Sequence, residues 1–385
     1  MRVRIILGIC LEGGKGMSGL IASQEVGNML NTWNLAIQKG DLSAAIEMQD
    51  DIDRAIDLME ENQDILLYYQ LLSFRLKLKL QNISRNLDKP FFQRNAPDEK
   101  EEKTNKLMSY YFYFYNGIYH DYLQDYDKAL SYFRIAEKKL AYVDDEIEKA
   151  EFHYKIAVLF YDLKMTFLSK YHAQIACDTF NAHETYIKRQ INCRMLHALN
   201  LIDQFEYDKA RALFSEAENM IESINDNHLI IHLYYNMGFL ESKKENLEEA
   251  SALFRRTLSY KEIENQDLLK MRCLYELSRI KISSKSNDAI EWIDLGISLS
   301  EQVNHNVFQI KFKLLKELLY EKNQSQLNNI NNLCLELEEK RVWVDLEEIL
   351  VDVAKYLEGR GLLKQSLNYY KRALLASQYV GKGVN

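Results

Sequence analysis

The chain reads as an all-α protein, an N-terminal three-helix bundle followed by a right-handed solenoid of stacked helix pairs. Three observations predict this. Both prolines, Pro90 and Pro97, lie in one short stretch. Proline costs roughly 3 kcal/mol inside a helix, so a chain that excludes it everywhere else is helical nearly throughout. Six of the 14 glycines precede residue 28, which leaves the remainder few positions of unusual backbone angle. From about residue 107 a pattern of small and aromatic residues recurs with a period of about 40, the mark of a repeat array.

The bundle is expected over residues 22–81. Its first helix runs from Glu25 to Lys39, with Val26, Met29, Leu30, Trp33, Leu35 and Ile37 mostly at helical spacing. Gly40 and Asp41 end it, and Asp41 or Ser43 can cap the next helix. That second helix spans Leu42 to about Met59 and directs Ile46, Ile52, Ile56 and Met59 inward. The third begins near Asn62, Gln63 and Asp64 and continues to about Leu80. Residues 82–106 hold both prolines and a run of charge, DEKEEK, and read as a flexible linker.

The array follows over residues 107–380. Small residues recur at Ala129, Ala210, Ala250, Ala289 and Ser366, with Phe133, Phe214, Phe254, Ile293 and Tyr370 four positions on. A weaker copy holds Ser169, Ala173 and Ala176, and a degenerate one is expected near Asn328. Gly117, Ala157, Ala198 and Gly238 each precede their small residue by twelve positions. The physical reading is a helix-turn-helix unit. Small residues on its two helices let the backbones approach, and the aromatic fills the gap to the neighbouring unit. One such unit cannot bury its own apolar face, so units stack. The pattern resembles the tetratricopeptide (TPR) repeat, with about seven helix pairs.

Composition bounds the function. Hydrophobic residues at 47% and charged residues at 28% describe a folded, soluble chain. A net charge of −8 without a basic cluster argues against a direct nucleic-acid partner. The five cysteines are odd in number, widely spaced and form no CxxC pair, so they read as reduced, buried thiols of a cytoplasmic protein. The apolar run from Ile5 to Leu11 is far too short to span a bilayer. Residues 1–21 are expected to be disordered or an extension ahead of a second candidate start at Met17.

Motifs for nucleotide, serine-hydrolase or metalloprotease chemistry are absent from the sequence. His228 and His232 stand four apart but have no third ligand in register, so no metal site is expected. The aromatic cluster YYFYFYNGIYHDY (110–122) reads as inter-helix packing. The acidic run at 143–155 divides evenly between a solvated helix cap and a contact surface. One feature stands out. The segment MEENQD (59–64) places a short, very polar hook directly before helix core.

At these residues a resemblance appears. MEENQDILLYYQLLSFR (59–75), YYFYFYNGIY (110–119) and DDEIEKAEFHYKIAVLFYDLKMTFLSKYHAQIACDTF (144–180) resemble the Rap family of response regulator aspartate phosphatases, and the similarity runs from about residue 25 to the end. The resemblance implies that Gln63 reaches a phosphorylated regulator and orients water for attack on its aspartyl phosphate, a carboxamide task like that of the water-orienting glutamine of GTPases. It implies regulator contacts from Glu60, Glu61, Leu66, Asp145 and Glu148. It also implies a short Phr-type signalling peptide in the concave groove, held by Asp203 in LNLIDQFEY and Asn236 in YYNMGF. No cofactor of its own is expected, the metal ion being supplied by the bound response regulator. Asn62 stands where the family commonly has aspartate, and His197, Ala198 and Leu199 replace a run of small residues beside the groove. Two functions compete: a peptide-inhibited phosphatase, or a non-enzymatic antagonist that grips a regulator's DNA-binding domain. No membrane partner is expected.

Overall fold

The computed structural model describes residues 20–80, 103–286, 288–319 and 324–380. The expectations for residues 1–19 and 81–102 lie outside that range. Among the described residues there are seventeen α-helices, three short 3-10 turns and no strand. None of the helices is long and apolar enough to cross a membrane. The chain divides into two compact units, one ending at Leu72 and the other beginning at Ser73.

The first unit holds α1 (Ser23–Lys39), α2 (Leu42–Asp57) and the greater part of α3 (Gln63–Lys79). Val26, Leu30, Trp33 and Ile37 of α1 are fully buried, as spacings of three and four residues on one helical stripe require. The Trp33 indole donates to the Ala45 carbonyl at 2.8 Å, and its ring stacks on Tyr69. Gly40 supplies the left-handed residue (φ 77°) that ends α1, and the Asp41 carboxylate caps α2 by accepting from Ala44 N. One inward assignment fails: Ile46 is 48% exposed, because its neighbour Ala45 occupies the inward arc of that turn.

The second unit contains the last turns of α3 and seven helix pairs: α4 (Lys103–Tyr122) with α5 (Tyr126–Lys139), α6 (Glu146–Asp162) with α7 (Thr166–Asn181), α8 (Ile187–Asp203) with α9 (Tyr207–Ile224), and α10 (Asn227–Lys243) with α11 (Leu247–Leu258). The series continues with α12 (Asp267–Ser283) and α13 (Ala289–Gln302), α14 (Asn306–Leu319) and α15 (Gln324–Glu339), and α16 (Trp343–Gly359) and α17 (Leu363–Val380). Helix α4 starts inside the span read as linker, since nothing in Lys103, Thr104, Asn105 and Lys106 breaks a helix. Gln124, Lys164, Phe205, Glu245, Lys285 and Gly361 each give an intra-pair turn a left-handed residue.

The repeated small residues are buried as expected: Ala129, Ala210 and Ala250 have no exposed surface. The aromatic four positions on fills the gap to the next pair, as the pattern implies, and has a second contact. A Cβ on Gly117 would meet Phe133 at 3.0 Å, and one on Gly238 would meet Phe254 at 2.8 Å. The ring therefore lies against the glycine of its own helix pair and also reaches the next pair, Phe133 meeting Phe152 at 6.1 Å between ring centroids and Phe254 clustering with Cys273 and Leu277. The cluster at 110–115 is packing, with Tyr110, Tyr111, Phe112, Phe114 and Tyr115 all buried.

Candidate functional site

The hook is built by backbone pairing on both sides. Ile21 N donates to Leu58 O at 2.8 Å and Glu60 N donates to Ile21 O at 3.0 Å, an isolated parallel bridge that ties the segment before α1 to the end of α2. Asn62 then caps α3: its Oδ1 accepts from Asp64 N at 3.1 Å and Ile65 N at 3.2 Å. An asparagine in place of aspartate keeps this cap, because both side chains present the same oxygen. Gln63 is the first residue of α3 and is exposed, as are Glu60 and Glu61. Its Nε2 donates to Glu61 Oε1 at 3.1 Å. Leu66 is half-buried one turn further along, and Leu58, 54% exposed, adds an apolar surface at the end of α2.

Asp145 and Glu148 belong to the second unit and have structural work there. Asp145 is the N-cap of α6 and accepts from Ile147 N at 2.9 Å. Glu148, expected as a regulator contact, has no exposed surface; Arg75 donates to its Oε2 at 2.9 Å. A carboxylate sealed from solvent cannot meet a docked protein, so that assignment is corrected. Of the acidic run only part is a solvated cap: Glu151 is also buried, in an ion pair with Arg189.

The peptide candidates lie in the array. Asn236, on α10, lines a cavity of about 150 Å³ together with Asp162, Lys164, Arg272, Lys311 and Glu348 and the aromatic rings of Tyr161, Tyr235 and Phe239. Its Nδ2 reaches Met195 Sδ at 3.8 Å, a weak acceptor. Asp203 ends α8 and does not itself line the cavity, but Lys164, which does, lies 3.7 Å from its Oδ1. The other carboxylate oxygen is buried with no hydrogen-bond partner. Burial pushes the Asp203 carboxyl above the ordinary carboxylate range, against the pull of Lys164 and Lys243.

Several residues of this wall escaped the sequence reading. Asp121, Asp162 and Asp203 recur at an interval of 41 residues, each at or next to the last residue of the first helix of its pair. That spacing was the available signal. All three are pushed up by burial; Asp121, beside Asp162 and opposed by Lys155 and Arg272, rises to about 7. Arg272, on α12, reaches across to Asp162 at 3.6 Å. His232 is half-buried and lowered to about 4, chiefly by desolvation, which fits a packed neutral ring. Among the described residues no group of three or more His, Cys, Asp or Glu is arranged to hold a metal.

Comparison with known proteins gives this arrangement its context. Residues 20–81 match the family model "response regulator aspartate phosphatase H, N terminal". Response regulator aspartate phosphatase I of Bacillus subtilis (strain 168) is 30% identical over 92% of this chain and 91% of its own length. The chain belongs to the Rap family. Another Rap relative, the regulatory protein RapD of the same organism, is 31% identical over 86% of this chain and 93% of its own length. The crystal structure of a Rap protein complexed with competence and sporulation factor covers 94% of this chain and 99% of its own, at 26% identity and a TM-score of 0.80. The Rap family thus includes chains named as phosphatases and chains named as regulatory proteins.

Proposed function

We propose that this protein binds a phosphorylated response regulator through the hook and promotes hydrolysis of its aspartyl phosphate, with a short signalling peptide in the array groove as inhibitor. The observation that carries the reading is Gln63: an exposed carboxamide on a capped, backbone-pinned helix start, in the one segment that matches the family's N-terminal model. An acyl phosphate is already activated, and the regulator brings its own metal ion and its own aspartate. What the hook adds is a placed water, and placement alone supplies a large rate factor. Glu60 and Leu66 would frame the contact. The groove, with its buried carboxylates, suits a peptide that carries a basic side chain or a free amine, bound to whichever state of the array it favours. Such a protein works in the cytoplasm, where response regulators are phosphorylated.

The test is phosphate release from a receiver domain phosphorylated with acetyl phosphate. Wild-type protein should accelerate release, and Gln63→Ala should lose at least about 100-fold of that acceleration, as expected when a positioning group for a nucleophile is deleted. A second reading, favoured by the relative named as a regulatory protein, is sequestration of the regulator without chemistry. It predicts unchanged phosphate release by both proteins and displacement of the regulator from DNA by both.

A further inference from the structure

We infer that Glu61 is a positioning residue for Gln63, fixing which face of its carboxamide meets the partner; the inference rests on the phosphatase reading above. A glutamine amide presents an acceptor oxygen or a donor NH2 group, and half a turn about its last torsion exchanges them. On an exposed helix end that torsion is otherwise free, so both faces would be populated. The Gln63 amide is not free in this way: its nitrogen donates to Glu61 Oε1 at 3.1 Å. An ionised carboxylate has acceptors only, so it can hold the NH2 face and not the oxygen face. With the nitrogen held, Gln63 Oε1 is left as the outward atom.

That choice matters for the chemistry. In hydrolysis the water oxygen forms a bond to phosphorus, and the phosphorus–oxygen bond to the partner's aspartate breaks. The bonding pair leaves on that carboxylate, and the water's proton leaves with the phosphate product. An outward amide oxygen accepts a hydrogen from the water and leaves the water's lone pair aimed at phosphorus. An outward NH2 would donate to that same lone pair and occupy the nucleophile. One flip therefore assists the attack and the other blocks it. The scaffold is suited to hold the pair: the bridge from Ile21 pins Glu60, and the Asn62 cap pins Asp64 and Ile65, so the backbone under both side chains is fixed at each end. Freezing a productive orientation in advance is the form of assistance that raises turnover without tightening binding.

The experiment compares wild type, Glu61→Ala, Glu61→Gln and Gln63→Ala on an acetyl-phosphate-phosphorylated receiver domain, under saturating and subsaturating conditions. The side-chain NH2 signals of Gln63 are followed in the free protein after selective glutamine labelling. Glu61→Ala should lower kcat about tenfold with KM changed less than about twofold, and should return the two Gln63 amide-proton shifts to those of a free glutamine side chain. Glu61→Gln, whose own amide oxygen can accept from the Gln63 NH2, should restore most of the lost rate. Added to Gln63→Ala, the Glu61→Ala change should cost nothing more, because the group it positions is gone. A Glu61→Ala protein with unchanged kcat and raised KM would make Glu61 a docking contact and overturn the inference while leaving the phosphatase reading intact. Unchanged release by Gln63→Ala would overturn both.

Discussion

Asp203 shows how a single side chain can set a binding preference. Its carboxyl is mostly buried, one oxygen has no partner, and its nearest cation stands 3.7 Å from the other. The array leaves an acceptor unsatisfied, which costs free energy until a donor arrives. A cationic group of a bound peptide would fill it, and its attraction requires the ionised form. Because burial raises the pKa of this carboxyl, acidification neutralises it earlier than an ordinary aspartate. Peptide affinity should therefore fall as pH is lowered from 7.5 toward 5, and Asp203→Asn should bind more weakly at pH 7.5 with a flattened pH profile. Isothermal titration of the cognate peptide across that range reads both effects, and an affinity that rises on acidification would contradict this account.

At the scale of the element, the helix pair is held by a close approach of backbone to ring, and at its tightest only glycine permits it. On α10 a methyl at Gly238 would lie 2.8 Å from the Phe254 ring of α11, and Phe254 is itself fully buried. Glycine costs up to about 1 kcal/mol of helix propensity relative to alanine, so the substitution would be favourable if only the backbone counted. Overpacking a sealed ring costs about 1–3 kcal/mol and wins. Gly238→Ala should lower the denaturation midpoint, and Gly238→Ala with Phe254→Leu should recover part of the loss by returning space. The same contact explains what the sequence disclosed and what it concealed. The helix pairs were legible because a small residue twelve positions ahead of another, recurring about every 40, is a statement about the chain itself. The close approach of each ring to the glycine of its own pair was not, because which atoms a ring meets is decided by packing alone. Glu148 illustrates the same limit. DDEIEK reads as a solvated helix start, and nothing local announces that Arg75, 73 residues earlier, will bury one of its carboxylates. The exposure of the hook was legible for the opposite reason: a polar run ahead of helix core is conspicuous within a few residues and needs no distant partner, whereas Gln63 within it was singled out by the family resemblance.

Across the whole second unit, charge ties together repeats that are far apart in sequence. Arg341, between α15 and α16, reaches Asp127 on α5 at 3.5 Å, and Gln124 donates to Asp345 at 3.4 Å, so the first and last pairs touch. Arg279 on α12 holds Asp352 on α16 at 2.7 Å, and Arg272 approaches Asp162 at 3.6 Å. Asp121 sits within this network at a cost, since burial and the neighbouring Asp162 push it up to about 7 despite Lys155 and Arg272. A carboxyl whose folded pKa exceeds its unfolded one binds more protons in the folded state between those two values. Its contribution to stability is complete below the ordinary carboxylate range and is lost as pH rises through about 7. Asp121→Asn mimics the protonated form at every pH. The variant should match wild type near pH 4 and exceed it at pH 8, by an amount on the order of 4 kcal/mol. Thermal melts of both proteins at pH 4, 6 and 8 measure the difference directly, with titrations elsewhere in the chain cancelling between them. A gap that stays constant with pH, or one that closes as pH rises, would show that the Asp121 carboxyl is ionised without strain in the folded array, and that the cross-repeat cations, not burial, govern it.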